Sequence, residues 1–361
     1  MRSYFNFTLK GIQFLPVWIA FFFFFLIPVQ LMLGAFNELI ATDVPADGAN
    51  KDFFLYLILV LLMSFIFIFF IAKLVIGSIE YNGIKIKCDY NILKYLGVVV
   101  SGLILSIITL GIYIPWLIRN IIRFIVDGTS YHSNSFSFKG EGGRLFVIMT
   151  QTIFGSFLIL GIILFSILDP RIDIMSPNFI LIYEVVVITI LVSILYLTFN
   201  WMVNIQYKEL MIKLDTGFFH AIWKIAVELV TAIILVFIFR WLTSFFISLL
   251  WDADSFTVAG KIAIELILAV TTLSIYFAMA FIRLYRYFVK HTTSNVVDSK
   301  KVDMEYDGHL VDDFKFMWKQ ILLTAITFGI YYPWAFSLIV KRVLTQTYLS
   351  TDISMAGKQF D

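Results

Sequence analysis

Two stretches decide how this chain folds: Ile108-Thr109-Leu110-Gly111-Ile112-Tyr113-Ile114-Pro115-Trp116 and Ile326-Thr327-Phe328-Gly329-Ile330-Tyr331-Tyr332-Pro333-Trp334. Seven of the nine positions are identical, and chance is a poor explanation for that. Internal duplication is the direct one. Gly frees the backbone, while Pro removes a helix donor and clashes with the preceding turn. The residue before Pro is pushed out of the helix. Each stretch is therefore expected to break its helix near Gly-Ile-Tyr-x-Pro. The arm before the first break, residues 96–109, reaches only ~21 Å at ~1.5 Å per residue, short of the ~30 Å hydrocarbon core. The arm after it soon carries Arg119 and Arg123. Two short arms and a break predict a re-entrant hairpin, which lipid tolerates only where protein or water covers the irregular backbone.

The medium follows from composition. Of 361 residues, 60% are apolar and 14% charged, against ~45–50% and ~25% in soluble domains. The excess lies in long runs: Ile12–Phe36, Phe53–Ser78, Leu96–Val126, Leu145–Leu168, Phe179–Val203, Phe218–Leu250, Val258–Val289 and Phe316–Leu344. A soluble enzyme, a disordered chain and a disulfide scaffold are excluded, the last because Cys88 is alone. A net charge of +2 points to no nucleic acid. The first run exceeds a signal-peptide core and is expected to be a retained helix. The expected fold is an α-helical polytopic membrane protein.

Short alternating segments separate the runs: residues 7–11, 84–87, 136–140, 210–214, 302–306 and 353–357. Period-two alternation predicts strands buried on one face. The spacing of strands and elbows predicts a single membrane domain over 1–361. Within it lie a half-repeat 1–142, a connecting helical hairpin 143–204 and a second half-repeat 205–361. If both Pro-broken runs turn back, all six strands share one side with Lys85, Lys87, Lys139, Lys213, Lys300 and Lys341. The other side then receives Glu38, Asp43, Asp47, Asp52, Asp169 and Asp173, with Lys51 and Arg171 as its clear cations. Positive charge marks the cytoplasmic side, so charge favours six full spans plus two re-entrant hairpins, with both termini and the strands cytoplasmic.

The run Thr109-Leu110-Gly111-Ile112-Tyr113-x-Pro115-Trp116, then Tyr131-His132, Phe136-x-Phe138-x-Gly140-x-Gly142 and Leu145-Phe146, resembles the YjgN-like family of bacterial inner-membrane proteins. The second copy departs after its core, with Ala356-Gly357-Lys358 in place of the double-Gly strand end. The resemblance implies an inner-membrane location. It implies no activity, because the family has no settled function, and no catalytic residue carries over.

Candidate site residues are the elbow positions Gly111, Tyr113, Pro115 and Trp116, with Gly329, Tyr331, Pro333 and Trp334. Broken helices expose backbone polar groups that transporters use, although the same kinks could serve packing, with Tyr and Trp as interfacial anchors. Arg240 and Glu265 fall at matching depths of consecutive runs, as a gate or ion-path pair or as a structural ion pair. Glu184 lies close enough to an outer loop to reach the interface. His132, His220, His291 and His309 form no metal-ligand spacing, and no nucleophile or phosphate-loop motif is present. No cofactor, metal or enzymatic activity is therefore expected. The expected partners are the bilayer and its anionic headgroups, through the basic residues beside the strands. The functional expectation is a transporter or channel for a small solute, ion or lipid. The alternative is a scaffold that docks a partner on its cytoplasmic strands.

Overall fold

In the computed structural model, pairs of residues on either side of Leu110 meet: Gly102 lies against Leu117, Tyr95 against Phe124 at 5.6 Å between ring centroids, and Tyr90 bonds Thr129 at 2.5 Å. Pairs that straddle one residue so evenly mean an antiparallel hairpin, so the first Pro-containing run folds back on itself. The structure describes residues 3–41, 49–168, 190, 192–250, 258–295 and 301–350.

Among the described residues, eleven short strands are interspersed with helices. They are β1 (Ser3–Phe7), α1 (Gly11–Phe21), α2 (Ile27–Ala41), α3 (Ala49–Ile76), β2 (Ile79–Tyr81), β3 (Ile84–Lys85), β4 (Lys87–Cys88), α4 (Ile92–Ile108) and α5 (Ile114–Asp127). There follow β5 (Thr129–Tyr131), β6 (Asn134–Phe138), α6 (Gly142–Leu168) and α7 (Val192–Met202). Then come β7 (Ile205–Tyr207), β8 (Leu210–Leu214), α8 (Phe218–Leu250), α9 (Val258–Lys290) and β9 (Thr292–Ser294). The chain continues through β10 (Met304–Tyr306), α10 (Leu310–Ile326), α11 (Tyr332–Leu344) and β11 (Thr347–Leu349). A π-helical turn at Phe22–Leu26 joins α1 to α2 just before Pro28, whose missing N–H breaks the α ladder there.

Among the described residues, three helices are long and apolar enough to cross a membrane: Gly11–Glu38, Lys51–Ile76 and Gly142–Gly161. They point to membrane association. Residues 169–189 and 251–257, which include Glu184, lie outside the described residues, as does the expected strand 353–357.

The strands differ from the expectation in an informative way. Only 210–214 coincides with a strand as read from the sequence. The first alternating segment shifts to Ser3–Phe7, because Thr8–Lys10 leads into α1. The segment 84–87 divides between β3 and β4, which pair with different strands. Each of three expected strands is the second arm of a hairpin whose first arm, only three residues long, carries no readable alternation. Tyr81 faces Ile84, Tyr131 faces Asn134 and Tyr207 faces Leu210 across two-residue turns. Asn82-Gly83 and His132-Ser133 take positive φ at both turn positions, the mirror-image turn that matches strand twist. A buried tyrosine closes the first arm of each hairpin.

By their contacts the residues form two units. One comprises the described residues of 3–137 and 323–346, the other those of 138–322 and 347–350. In the first, α3 serves two apolar clusters: Phe65, Phe69, Ala72 and Ile76 pack with α4 and α5. Ile71, Leu74 and Val75 pack with Phe7, Phe14 and α11. In the second, α8 and α9, 33 residues each, form an antiparallel pair. The strands β7, β8 and β9 pair in order, and Ser294 bonds Val302 to lead on toward β10 and β11.

Candidate functional site

The two duplicated elbows share one backbone, bond for bond. Leu110 and Gly111 lie at φ +50° and +90°, and Phe328 and Gly329 at +49° and +85°. The Gly111 amide donates to the Ser106 carbonyl at 2.7 Å, and that of Gly329 to Thr324 at 2.8 Å. The Thr109 hydroxyl donates to the Leu105 carbonyl and accepts from the Tyr113 amide at 3.0 Å. Thr327 does the same with Leu323 and Tyr331. Tyr113 and Trp116 stack with centroids 6.2 Å apart, and Tyr331 and Trp334 at 6.1 Å.

The break therefore has a different cause from the one expected. Two consecutive left-handed residues end the first helix, and Thr fills the orphaned backbone groups. Pro115 and Pro333 then sit in the first turn of α5 and α11, where a missing N–H costs nothing. Proline starts the second helix; it does not break the first.

Apolar side chains cover both tips. Leu110 is 93% exposed and Phe328 92%, with Ile107, Ile108, Ile112, Ile326 and Ile330 also exposed. A patch of this kind on each tip is costly in water and stable in hydrocarbon.

Behind the first tip the polarity inverts. A cleft of about 680 Å³ runs along the α4–α5 hairpin. From α4 and its N-cap it takes Asn91, Lys94 and Ser101, which share a helix face. From α5 and its N-cap it takes Tyr113, Asn120 and Arg123, and Asp89 and Asp127 line it at the strand end of the hairpin. Charges thus lie toward the strand end of the hairpin, and neutral donors lie toward the tip. Asn120 donates to the Tyr113 hydroxyl at 3.3 Å. Arg123 holds Asp127 at 3.2 Å, a partly exposed i,i+4 pair of modest worth. Gly102 keeps the helices close, since a Cβ there would fall 2.3 Å from Leu117 Cδ1.

Of the residues singled out from the sequence, Tyr113 lines this cleft, and Gly111 shapes the turn beyond it. Pro115 is buried at the start of α5. The second set packs on a different neighbour, α1. Trp18 Nε1 donates to the Gly329 carbonyl at 3.1 Å and its ring stacks on Tyr332. Gly11 lies flat on Trp334.

The family model described as a bacterial protein of unknown function (DUF898) matches residues 2–130 and 79–259, well over half of the chain. The chain belongs to this family, the YjgN-like proteins. No curated protein and no solved structure matches it. Residues 79–130, which hold the α4–α5 hairpin, fall within both matched segments of this YjgN-like chain.

Arg240 and Glu265 belong to α8 and α9, but their side chains lie outside the described residues. The same helix pair carries an ionic cluster that sequence reading missed. Buried Glu228 accepts from Tyr276 at 3.3 Å and lies 3.4 Å from Lys224 and 3.5 Å from Arg283. Its i,i+4 spacing from Lys224 was the available signal. Two cations compensate the carboxylate's charge and a phenol hydrogen-bonds it, so the cluster reads as a brace for the helix pair. Among the described residues no group of three His, Cys, Asp or Glu side chains could hold a metal.

Proposed function

We propose that this YjgN-like protein is a multi-pass bacterial inner-membrane protein with six full spans and cytoplasmic strands and termini. The two elbow hairpins dip into the bilayer from the cytoplasmic side, and the first provides a polar route for a small solute, ion or lipid headgroup. One observation carries this: a hairpin whose tip is apolar and exposed bears an open cleft of about 680 Å³ lined by charged and polar side chains as well as apolar ones. In this orientation the basic residues beside the strands meet anionic headgroups, each gaining ~1 kcal/mol.

The test is reconstitution of the full chain in vesicles. Movement of a labelled phospholipid or of an entrapped small solute should exceed that in protein-free vesicles, and Arg123→Ala should slow it. Movement at the protein-free rate for both cargoes overturns transport and leaves a scaffold. Orientation is checked separately with Asn134→Cys in a Cys88→Ser background. An impermeant thiol reagent should reach it only after the cytoplasmic face is opened.

A further inference from the structure

The charges around the α4–α5 cleft select a class of ligand. Lys94 and Arg123 contribute two positive charges, and Asp89 and Asp127 two negative ones, so the lining sums to zero. An anionic headgroup entering this space would meet two carboxylates along with its two cations. A headgroup carrying both signs satisfies all four. The cations are also available. Lys94 has no carboxylate partner among the described residues, and Arg123 is held only by its partly exposed neighbour Asp127. Asn120 and Tyr113 add neutral hydrogen-bonding groups at the inner end, where the apolar tip begins.

We infer that the α4–α5 cleft binds the headgroup of a zwitterionic phospholipid of the ethanolamine type. Its phosphodiester lies against Lys94 and Arg123, and its ammonium group against Asp89 and Asp127. Its acyl chains stay in the surrounding hydrocarbon beside the exposed apolar tip. The inference rests on the membrane-inserted hairpin proposed above and names what the cleft recognises. The duplicate supports it by contrast. In register with the repeated nine residues, Lys94, Gly102, Asn120 and Asp127 correspond to Asp312, Gln320, Leu338 and Thr345, while Asp89, Tyr113 and Arg123 correspond to Asp307, Tyr331 and Lys341, so the same backbone turn is kept with only part of this lining. Lys94, Asn120 and Asp127 therefore do not follow from the turn, and they serve something else.

The test uses the purified full chain in detergent, offered equal amounts of phosphatidylethanolamine and phosphatidylglycerol, with retained lipid read by native mass spectrometry. Phosphatidylethanolamine should be retained over phosphatidylglycerol. Lys94→Gln and Asn120→Leu should each lower its retention by up to about tenfold, the worth of one charge-assisted contact. Lys341→Gln, in the second copy, should leave it unchanged. Soluble glycerophosphoethanolamine should compete only weakly, because it lacks the chains. Equal or greater retention of phosphatidylglycerol overturns the inference, and so does wild-type retention by both cleft variants. Full displacement by the soluble headgroup overturns the lipid and leaves a free zwitterion. Solute movement in vesicles without lipid retention overturns this inference alone, and lipid retention without movement overturns transport alone.

Discussion

The two elbows are the same turn held by different surroundings. Elbow one is gripped by its own hairpin partner, with Gly102 against the Leu117 side chain. Elbow two is gripped by α1, with Gly11 against the ring and the backbone of Trp334. The repeated sequence thus specifies a local backbone, and unrepeated residues decide what each copy packs on and what lines it. The difference should be largest for Gly11→Ala. Its Cβ would fall 2.6 Å from the Trp334 ring and 2.7 Å from Trp334 Cα, so main chain must move. A cost of ~3 kcal/mol is expected, the upper part of the overpacking range. Gly102→Ala meets the end of a leucine at 2.3 Å, which can rotate away, and should cost ~1 kcal/mol. Thermal unfolding of the two variants in one detergent separates them. Equal losses would mean that both elbows are held alike.

Where the elbows match, substitutions should match. Gly111→Ala and Gly329→Ala each force a Cβ into the left-handed region, at ~1–2 kcal/mol. Their unfolding shifts should agree closely. The neighbours Leu110 and Phe328 already carry side chains at φ +50° and +49°. Leu110→Gly and Phe328→Gly should therefore stabilise the detergent-solubilised protein slightly, by up to ~1 kcal/mol. Opposite signs at the two copies would break the equivalence.

The elbows were legible because nine residues repeat, and repetition survives without knowledge of packing. Turn-back of the first run was legible from arm length and from Arg119 and Arg123. The agent of the break was not. Proline is the visible helix breaker, whereas the left-handed state of Leu110 is invisible in a leucine. Strand hairpins were half legible, because arms such as Thr129–Tyr131 are too short to alternate, and only the Asn82-Gly83 turn carries the residues its geometry favours. The cleft was missed although its residues are spaced on one face: Tyr113, Asn120 and Asp127 recur every seven positions. Inside an apolar run they read as scattered interruptions until α4 supplies the opposite wall. The DUF898 match covers this hairpin and ends before the second elbow, so the duplication itself extends the comparison to 326–334.

A smaller effect comes from the threonine caps. Thr109→Ala and Thr327→Ala each remove an acceptor for a backbone amide at the same point of the turn. Each should cost ~1 kcal/mol, as caps of this kind do. Unfolding midpoints check it, and the pair should be additive if the elbows are independent.

The smallest effect lies at the base of elbow one and depends on pH. Cys88 of β4 corresponds in the second copy to Tyr306, which donates to buried Asp313 at 2.6 Å. Only the first base therefore carries a thiol. Burial pushes the Cys88 thiol above its ordinary range, while the hydroxyls of Tyr90 and Thr129 and the charge of Lys73 draw it partly back. The folded protein thus holds the thiol proton more tightly than the unfolded chain does. The resulting stability is complete below the unfolded thiol's pKa and is lost as pH rises through the folded value. Two readings follow. At alkaline pH below the folded value, alkylation of Cys88 should be slower in the folded protein than in the unfolded chain, because less thiolate is present. Stability should decline over the same interval, and Cys88→Ser should remove that part of the decline. If the serine variant keeps the full decline, the loss comes from elsewhere and the bases of the two elbows are not distinguished by this group.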